Sequence, residues 1–402
     1  MLVRVKLVCI VMVNIVKILI VFISRILLRA LYVFPLKENR IFFSSFNGRG
    51  YNCNPKCIYE YMYKYYRSDY DLIWCLNDKC ILLDKLGFIC VKFLTIPYFY
   101  YLITSKIIVT NLEFEATLPK RKGQLLINTW HGGGAYKVCS NDLGIKNKSR
   151  CLFMKYVQNI RSRSTDFIIS SCEKQIKAYK IDFNIDENKS LNIGMPRNDI
   201  FFNIDKNVMY KLRRVICNRY LIDHRKILIL FAPTQRRNNL GGVIDDKIEI
   251  DVRRICDAVK ERFGGESVML YRCHTGVSGG VHEQTIDVSD YPDMQELLLV
   301  VDILITDYSS SIWDYSFTNK PGFLFTPDLD QYKKNTNFHT PIELWPFPYA
   351  KTTEELCEEI LNYDETKAMK KIQIHHSLLD SYETGNATAK VCNIIKNYID
   401  RS

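Results

Sequence analysis

The sequence predicts an α/β protein in which two Rossmann-like domains face a cleft, preceded by an N-terminal membrane-associated helix. The chain has 402 residues, which is too many for one ordinary hydrophobic core and suits two. After Pro35, short runs of β-branched and aromatic residues alternate with longer amphipathic stretches, as in β-α-β units. Before Pro35 the chain is almost entirely aliphatic and carries five basic groups and no acid.

The apolar runs form two sets, and their lack of alternation is typical of parallel strands that are buried on both faces. A polar stretch, Asn203–Asn207, separates the sets, so we predict domains at residues 35–205 and 206–402. The tail from Thr352 onward is helical in character and is assigned to the second domain. The predicted strands are Arg40–Ser45, Asp71–Leu76, Lys106–Thr110, Gln124–Thr129 and Phe167–Ser171, then Lys226–Phe231, Val268–Arg272, Asp302–Thr306 and Gly322–Phe325.

The composition narrows the class of protein. Apolar residues make up 47% and charged residues 25%, which is typical of a globular chain. The net charge of +11 suits an anionic partner, and nucleic acid, anionic lipid and phosphorylated substrates all qualify. The 14 cysteines are scattered without any C-x-x-C pair, which favours reduced thiols in a cytosolic location and argues against a zinc site. We predict no metal and no cofactor.

Residues 1–34 leave three alternatives open: a helix in the membrane interface, a membrane-spanning helix and a buried core helix. A span would place Lys17 near the bilayer centre, at a cost of roughly 2.5 to 3.5 kcal/mol. At 100° per residue the polar side chains fall within about 160° of arc, which favours an interfacial helix whose basic stripe faces anionic headgroups. Both membrane alternatives leave the body on the cytoplasmic face of the cell membrane. The stripe comprises Arg4, Lys6, Asn14, Lys17, Ser24, Arg25 and Arg29.

Distinctive polar residues follow the predicted strands, where doubly wound sheets bind their ligands. Trp130, His131 and the glycines at 132, 133 and 134 follow one strand, and a histidine held there can take a proton from a hydroxyl group. The alternative is a turn with a structural histidine.

The segment Asp307-Tyr308-Ser309-Ser310 follows another strand, and its hydroxyl and N–H groups suit a phosphate at a helix N-terminus. An ordinary capping box formed by Ser311 and Asp314 would use the same groups.

Two further strand ends carry cationic or titratable groups. Thr234 and Arg236 follow one predicted strand, and an arginine there can grip a diphosphate. Arg272 and His274 end the next strand, where His274 can donate a proton to a departing phosphate or can be a core histidine. The turn Gly194–Asp199 is interpreted as mainly structural, with an ion pair between Arg197 and Asp199. No nucleic-acid module is evident, so we predict no nucleic-acid partner.

Taken together, these motifs resemble the CDP-glycerol glycerophosphotransferase family, the primases and polymerases of teichoic acid and related capsule synthesis. The resemblance runs in order from Phe42 to Pro321 and so covers most of the chain. It rests on Trp130-His131-Gly132, Gly194-Met195-Pro196-Arg197-Asn198-Asp199, Ala232-Pro233-Thr234 with Arg236, Arg272 with His274, and Asp307-Tyr308-Ser309-Ser310 with Asp314-Tyr315 and Lys320-Pro321.

The resemblance implies a GT-B type fold and a transferase that uses a CDP-polyol donor. His131 and His274 would be catalytic, and His131 would activate a hydroxyl of a polyprenyl-diphosphate-linked acceptor, with release of CMP. Trp130, Gly132 and Gly133 would lie on the acceptor side. The donor-binding residues would be Arg236, Thr234, Arg272, Asp307, Ser309, Ser310 and Asp314.

The chain departs from the family pattern where Gly133-Gly134 replace the usual Thr and Pro, where Thr275 replaces the usual Pro, and at Gln235, where an aromatic residue is usual. The alternative function is a GT-B glycosyltransferase that uses a nucleotide sugar for surface glycan synthesis. A membrane adaptor without catalytic activity is a third hypothesis, and the retained histidines argue against it.

Overall fold

The computed structural model describes residues 2–77, 88–139, 148–234, 236–237, 243–244, 248–273 and 284–401. His274, one of the two predicted catalytic histidines, lies outside these residues, as does the side chain of Arg236. Contacts between residues divide the chain into two compact units. The first comprises residues 1–131, 139–199 and 382–402, and the second comprises residues 132–138 and 200–381.

The first unit is built on a seven-stranded parallel sheet with the strand order β3-β2-β1-β4-β5-β6-β7. The central pair, β1 and β4, is flanked by β2 and β5, so the longest apolar strands lie where they are buried on both faces. The strands are β1 (Lys37–Ser44), β2 (Asp71–Cys75), β3 (Ile89–Val91), β4 (Ser105–Thr110), β5 (Leu125–Asn128), β6 (Phe167–Ser170) and β7 (Ser190–Asn192).

Successive residues of β1 point to opposite faces of this sheet and bury against different helices. Phe43 joins a core with Ile58 of α2 and Val391 of α14, whereas Phe42 joins a core with Tyr98 of α3. The helices of this unit are α1 (Leu2–Arg29), α2 (Cys53–Tyr66), α3 (Ile96–Thr104), α4 (Lys148–Ser164), α5 (Glu173–Phe183) and α14 (Ala387–Asp400), together with the start of α6 (Asp199–Asn203).

The second unit contains a six-stranded parallel sheet with the order β12-β11-β8-β13-β14-β15. Its core packs Phe231 and Ile305 of the sheet against Ile255 and Val259 of the helix Val252–Phe263. The strands are β8 (Ile227–Ala232), β11 (Ser267–Tyr271), β12 (Ile286–Asp287), β13 (Ile303–Thr306), β14 (Gly322–Phe325) and β15 (Tyr349–Ala350), beside an antiparallel pair, β9 (Arg236–Arg237) and β10 (Val243–Ile244).

The helices of the second unit cover both sides of this sheet in sequence order, as β-α-β connections require. They are α7 (Lys206–Arg219), α8 (Val252–Phe263), α9 (Met294–Val300), α10 (Ser311–Ser316), α11 (Leu329–Asn335), α12 (Thr353–Leu361) and α13 (Glu365–Leu379). All nine predicted strands are present, and both sheets are parallel as predicted. Six further strands, β3, β7, β9, β10, β12 and β15, were not predicted, and each has only two or three residues.

The C-terminal segment differs from its predicted assignment to the second domain. Residues 382–402 make their contacts in the first unit, because Val391, Cys392 and Ile395 of α14 are buried against α2. The N-terminus of α14 is fixed by Asp199, whose carboxylate accepts hydrogen bonds from the backbone N–H groups of Ala387 at 3.0 Å and of the next residue at 2.8 Å.

The orientation of α1 differs from the predicted interfacial arrangement. Asn14 and Val21 are buried, and Arg25 Nη1 donates to the carbonyl oxygens of Ala116 at 2.9 Å and Leu118 at 2.6 Å. The prediction that this stripe faces headgroups is therefore wrong for Asn14 and Arg25, because their polar atoms bond or pack against the protein. The exposed apolar side chains of α1 are Val11, Met12, Val13, Ile15, Val16, Leu19, Ile20, Phe22, Ile23, Ile26 and Leu27.

Two adjacent histidines of α13, to which the sequence analysis gave no role, anchor this helix in the second unit. His375 Nδ1 donates to the Leu344 carbonyl at 2.7 Å, so its Nε2 accepts from the Tyr136 hydroxyl at 2.9 Å. His376 Nε2 lies 2.7 Å from Ser316 Oγ, and its ring stacks on Phe317 at 4.5 Å. Burial lowers the pKa of His376 to about 4.

We predict that Asp199→Ala lowers the free energy of unfolding by about 1 to 2 kcal/mol, because two N–H groups of α14 lose their acceptor. Asp199→Asn keeps one acceptor oxygen and should cost less than half as much. Urea denaturation followed by circular dichroism measures both losses. Equal losses in the two variants would contradict the capping role.

We also predict that His376 makes the fold sensitive to mild acid. Because its pKa falls from 6.5 in the unfolded chain to about 4 in the fold, the unfolded chain binds the extra proton between these values. Stability is then complete above pH 6.5 and is lost as the pH falls toward 4, by about 2 kcal/mol between pH 7 and pH 5. Urea denaturation of His376→Gln at both pH values should show a correspondingly smaller difference. An unchanged difference would rule this histidine out as the cause.

Candidate active site

The carboxyl ends of the strands in the first unit carry a set of buried polar side chains. A parallel sheet brings these ends to one edge, where the backbone turns away and leaves N–H and C=O groups unpaired. Side chains of the same edge can satisfy those groups. The set comprises Ser45, Asn111, Asn128, Thr129 and Ser171, each at most 1% exposed.

The turn after β5 has an uncommon backbone conformation. Trp130 has φ of 51°, a left-handed value that is uncommon for a residue other than glycine. Its N–H donates to Asn128 Oδ1 at 2.8 Å, and Asn54 Nδ2 donates to the carbonyl oxygens of Thr129 at 3.1 Å and Trp130 at 3.0 Å. The ring of Trp130 packs on Phe183 at 4.6 Å. The turn is thus held by side chains that a sequence pattern alone does not identify.

This turn presents His131 in a defined tautomer. His131 Nδ1 lies 2.9 Å from the carbonyl oxygen of Asn111. A carbonyl only accepts, so Nδ1 carries the proton, and Nε2 of the neutral ring has a lone pair. The ring centres of Phe46 and His131 lie 5.3 Å apart in an edge-to-face arrangement, and the N–H of Phe46 donates to Asn111 Oδ1 at 2.8 Å. Asn111 therefore positions both rings.

The turn Gly194–Asp199 contacts the histidine turn directly. Arg197 is 6% exposed, its Nη1 donates to the carbonyl of His131 at 2.5 Å, and its N–H donates to Asn54 Oδ1 at 3.0 Å. The suggested ion pair with Asp199 does not form, because that carboxylate caps α14 instead. The roles of Asn54, Asn111 and Arg197 in holding His131 were not predicted. In the sequence, only the asparagines near strand ends and helix starts point to these roles.

The structure gives a steric reason why glycine stands at positions 133 and 134. A Cβ on Gly133 would lie 2.0 Å from Cδ1 of Trp313, and Gly134 has φ of 66° with Tyr136 close by. Residues 132–138 make their contacts in the second unit. Gly132 and Gly133, which are predicted to lie on the acceptor side, thus belong to the same unit as the donor-binding candidates. Their acceptor-side role stays a prediction.

In the second unit, Asp307 joins two strand ends. Its Oδ1 accepts from the N–H groups of Thr234 at 2.8 Å and Tyr308 at 2.5 Å, and the carboxylate is fully buried. Thr306 Oγ1 donates to the carbonyl of Ala232 at 2.6 Å, which ties the same two strands. Of the predicted donor-binding residues, Asp307 and Thr234 are therefore brought together.

The serines after Asp307 lie nearer the surface. Ser309 and Ser310 are partly exposed, and Ser309 Oγ accepts from the N–H and the hydroxyl of Ser311. Helix α10 begins at Ser311, and its N-cap is Ser310, whose side chain makes no capping bond. Ser311 is thus the first helical residue and not the N-cap, so the suggested capping box of Ser311 with Asp314 is absent. Asp314 is buried, and its Oδ2 accepts from Gln295 Nε2 at 3.0 Å.

Arg272 and Arg236 lie after neighbouring strands of the second unit. Arg272 Nη1 donates to the carbonyl oxygens of Val288 at 3.3 Å and Tyr291 at 2.7 Å, and burial lowers the pKa of this guanidinium. Arg236 lies in β9 and pairs with Ile244 of β10. Within the part of the chain that the structure describes, no group of three or more histidine, cysteine or acidic residues is arranged to hold a metal.

Comparison with known proteins identifies relatives of the whole chain. A teichoic acid poly(glycerol phosphate) polymerase of Staphylococcus epidermidis is 30% identical over 373 residues, which are 90% of this chain and 51% of that protein. A polymerase of the same description from Bacillus spizizenii is 29% identical over 388 residues, 93% of this chain and 96% of that one. The chain thus spans about half of the first relative and nearly all of the second.

The fold has a close counterpart among solved structures. The wall teichoic acid polymerase TagF, in a crystal soaked with CDPG, is 28% identical and superposes with a TM-score of 0.76 over 91% of this chain and 90% of that chain. The predicted GT-B type fold with two parallel sheets is confirmed. Residues 26–397 match the family model of CDP-Glycerol:Poly(glycerophosphate) glycerophosphotransferase. The chain therefore belongs to this glycerophosphotransferase family.

Proposed function

We propose that the protein transfers glycerol phosphate or ribitol phosphate from a CDP-polyol to a polyprenyl-diphosphate-linked acceptor in teichoic acid or capsule synthesis, with release of CMP. The observation that carries this proposal is the hydrogen bond from His131 Nδ1 to the Asn111 carbonyl, which leaves Nε2 able to take a proton. Membership of the family and the similarity to TagF supply the substrate class.

The reaction is an in-line displacement at phosphorus. A hydroxyl oxygen of the acceptor attacks the phosphorus nearest the polyol, and the bond from that phosphorus to the bridging oxygen breaks, so CMP leaves with the bond's electrons. His131 Nε2 takes the hydroxyl proton as the new phosphodiester forms. The imidazolium that results keeps its Nδ1–H bond to Asn111, so the ring needs no reorientation during the step.

The donor-binding residues fall into two groups by their burial. Ser309 and Ser310 are partly exposed, and we assign their hydroxyl groups, with Arg236, Thr234 and Arg272, to the donor's diphosphate. Asp307 and Asp314 are buried and accept hydrogen bonds from the protein. Their proposed contribution is to hold the surrounding turns in place. His274 keeps its proposed role as a proton donor to the departing phosphate, and Trp130 keeps its place on the acceptor side.

A lipid-linked acceptor requires the enzyme to work at a membrane surface, and α1 supplies the apolar surface for it. The segment Val11–Val33 is long and apolar enough to cross a membrane. However, Asn14, Val21 and Arg25 pack against or bond to the first unit, which keeps this helix alongside the protein body. We propose that α1 lies in the interface with its exposed aliphatic side chains in the lipid, on the cytoplasmic face.

We predict that Leu19→Glu with Ile23→Glu weakens binding to anionic lipid vesicles by about 100-fold, because two apolar side chains worth about 1.5 kcal/mol each leave the lipid. Vesicle sedimentation measures the partition. Leu221→Glu is the control, since Leu221 is 95% exposed and lies in the second unit. Undiminished binding of the double variant would show that another surface attaches the protein.

The proposed reaction predicts CMP release when the detergent-solubilised protein is given CDP-glycerol or CDP-ribitol and a lipid-linked acceptor. His131→Ala should lower kcat by about 10²- to 10⁴-fold, because the general base is lost, while the Kd for the CDP-polyol stays within about twofold. Rapid-quench assays and calorimetry give the two quantities.

Two outcomes would overturn the proposal. Release of a nucleoside diphosphate from a nucleotide sugar would indicate the glycosyltransferase instead. Loss of donor affinity in His131→Ala, with kcat retained at saturation, would place His131 on the donor and exclude it as the base. His224→Ala is the control variant, because this histidine lies in the loop between α7 and β8 and its Nε2 lies 3.3 Å from the Tyr210 hydroxyl.

A further inference from the structure

The residues that follow His131 are held along their whole length by the second unit. Residues 132–138, which we call the post-histidine segment, run antiparallel to residues 337–340. Val138 N–H donates to the Asn337 carbonyl at 2.9 Å, and Lys137 forms a β-bridge with Phe338. The carbonyl of Tyr136 accepts from the His339 N–H at 2.7 Å.

Side chains continue this attachment toward His131. Thr340 Oγ1 donates to the Ala135 carbonyl at 2.5 Å, and the hydroxyl of Tyr136 donates to His375 Nε2 at 2.9 Å. Tyr136 is 3% exposed and meets Trp345 at 4.8 Å between ring centres. Each of the four residues from Ala135 to Val138 takes part in a hydrogen bond or a β-bridge, so this part of the segment has little freedom to shift.

The last contact before His131 is steric. Trp313 is fully buried, and its indole fills the space that a Cβ on Gly133 would occupy, at 2.0 Å from Cδ1. His376 meets the indole at 5.4 Å and Phe317 meets it at 5.4 Å, so the ring cannot easily turn aside. Only a residue without a side chain fits between Trp313 and the path of the chain.

Trp313 also belongs to the helix that follows the proposed donor turn. Its N–H donates to the Ser310 carbonyl at 3.0 Å, and its neighbour Asp314 accepts from Gln295. The indole is therefore fixed by the short helix that directly follows Ser309 and Ser310, the serines proposed to bind the diphosphate. Gly133 lies two residues beyond His131 along the chain.

We infer that Trp313 is a positioning residue for His131. By filling the space beside Gly133 it fixes the backbone that follows the histidine, so that Nε2 reaches the acceptor hydroxyl in a productive geometry. This inference rests on the proposed function. A misplacement of about 1 Å at a reacting group can lower the rate about 100-fold, so the packing at this site acts on kcat more than on substrate binding.

Variants at the two positions test the inference. Gly133→Ala should lower kcat for CMP release at least about 10-fold, with the KM for CDP-glycerol within about twofold. The double variant Gly133→Ala with Trp313→Leu has room for the added methyl group and should recover most of the lost kcat. Recovery of this kind is not expected if Gly133→Ala merely lowers stability, because Trp313→Leu itself removes buried contacts.

If Gly133→Ala fails to fold, the single variant Trp313→Leu still tests the inference. It should lower kcat while the KM is kept, and it should speed deuterium exchange of the peptide spanning residues 129–138. Trp74→Leu is the matched control, since Trp74 is equally buried on β2 of the first unit. It should lower the unfolding midpoint but change neither kcat nor that exchange.

Three outcomes would overturn the inference: a Gly133→Ala enzyme with normal kcat, a double variant as slow as Gly133→Ala, or exchange in Trp313→Leu that matches the wild-type protein. Failure of the proposed function gives a different result: the wild-type protein itself releases no CMP from CDP-glycerol or CDP-ribitol. Deuterium exchange of residues 129–138, compared between Trp313→Leu and the wild-type protein, still decides whether Trp313 holds the segment around His131.

Discussion

The amide side chain of Asn54 is the point on which the candidate base depends. Its Nδ2 donates to the carbonyl oxygens of Thr129 and Trp130, and its Oδ1 accepts from the N–H of Arg197, so one buried side chain ties two turns together. The Trp130 carbonyl also accepts from Thr129 Oγ1 at 3.2 Å, whereas loss of the Asn54 bonds to the Thr129 carbonyl and the Arg197 N–H would cost about 1 to 3 kcal/mol each. With the turns joined, the left-handed conformation of Trp130 is sustained and His131 is presented with a fixed tautomer.

In the second unit, too, one buried side chain bonds the backbone of two segments, but here the side chain is a carboxylate. The buried carboxylate of Asp307 accepts from the N–H groups of Thr234 and Tyr308, and so holds the ends of β8 and β13 together. In both units a fully buried polar side chain, that of Asn54 or Asp307, bonds the backbone at the strand ends. This arrangement follows from the parallel sheet, whose strand ends leave backbone groups that must be satisfied before any side chain can be aimed outward.

In helix α1, composition predicts association with a membrane, whereas packing decides which side of the helix is exposed. Its apolar content alone predicts a membrane-associated helix, because most of its side chains from Val11 to Leu28 are apolar. Which side of the helix stays exposed is set by the bonds that Arg25 makes to the carbonyl oxygens of Ala116 and Leu118. The polar side chains along one side of a helix can form their hydrogen bonds either with lipid headgroups or with the protein. The sequence pattern is the same in both cases.

The sequence by itself determined the two parallel sheets, the strands of four or more residues and the turns that carry His131 and Asp307. Long β-branched runs and polar strand ends are local signals, since both depend on neighbouring residues. The tertiary structure alone decided the short edge strands, the docking of α14 on the first unit, the need for glycine at residue 133 and the bonds of Asn54, Asn111 and Arg197. Each of these depends on residues far apart in the chain, such as Gly133 and Trp313, that become neighbours only when the unit that contains them folds.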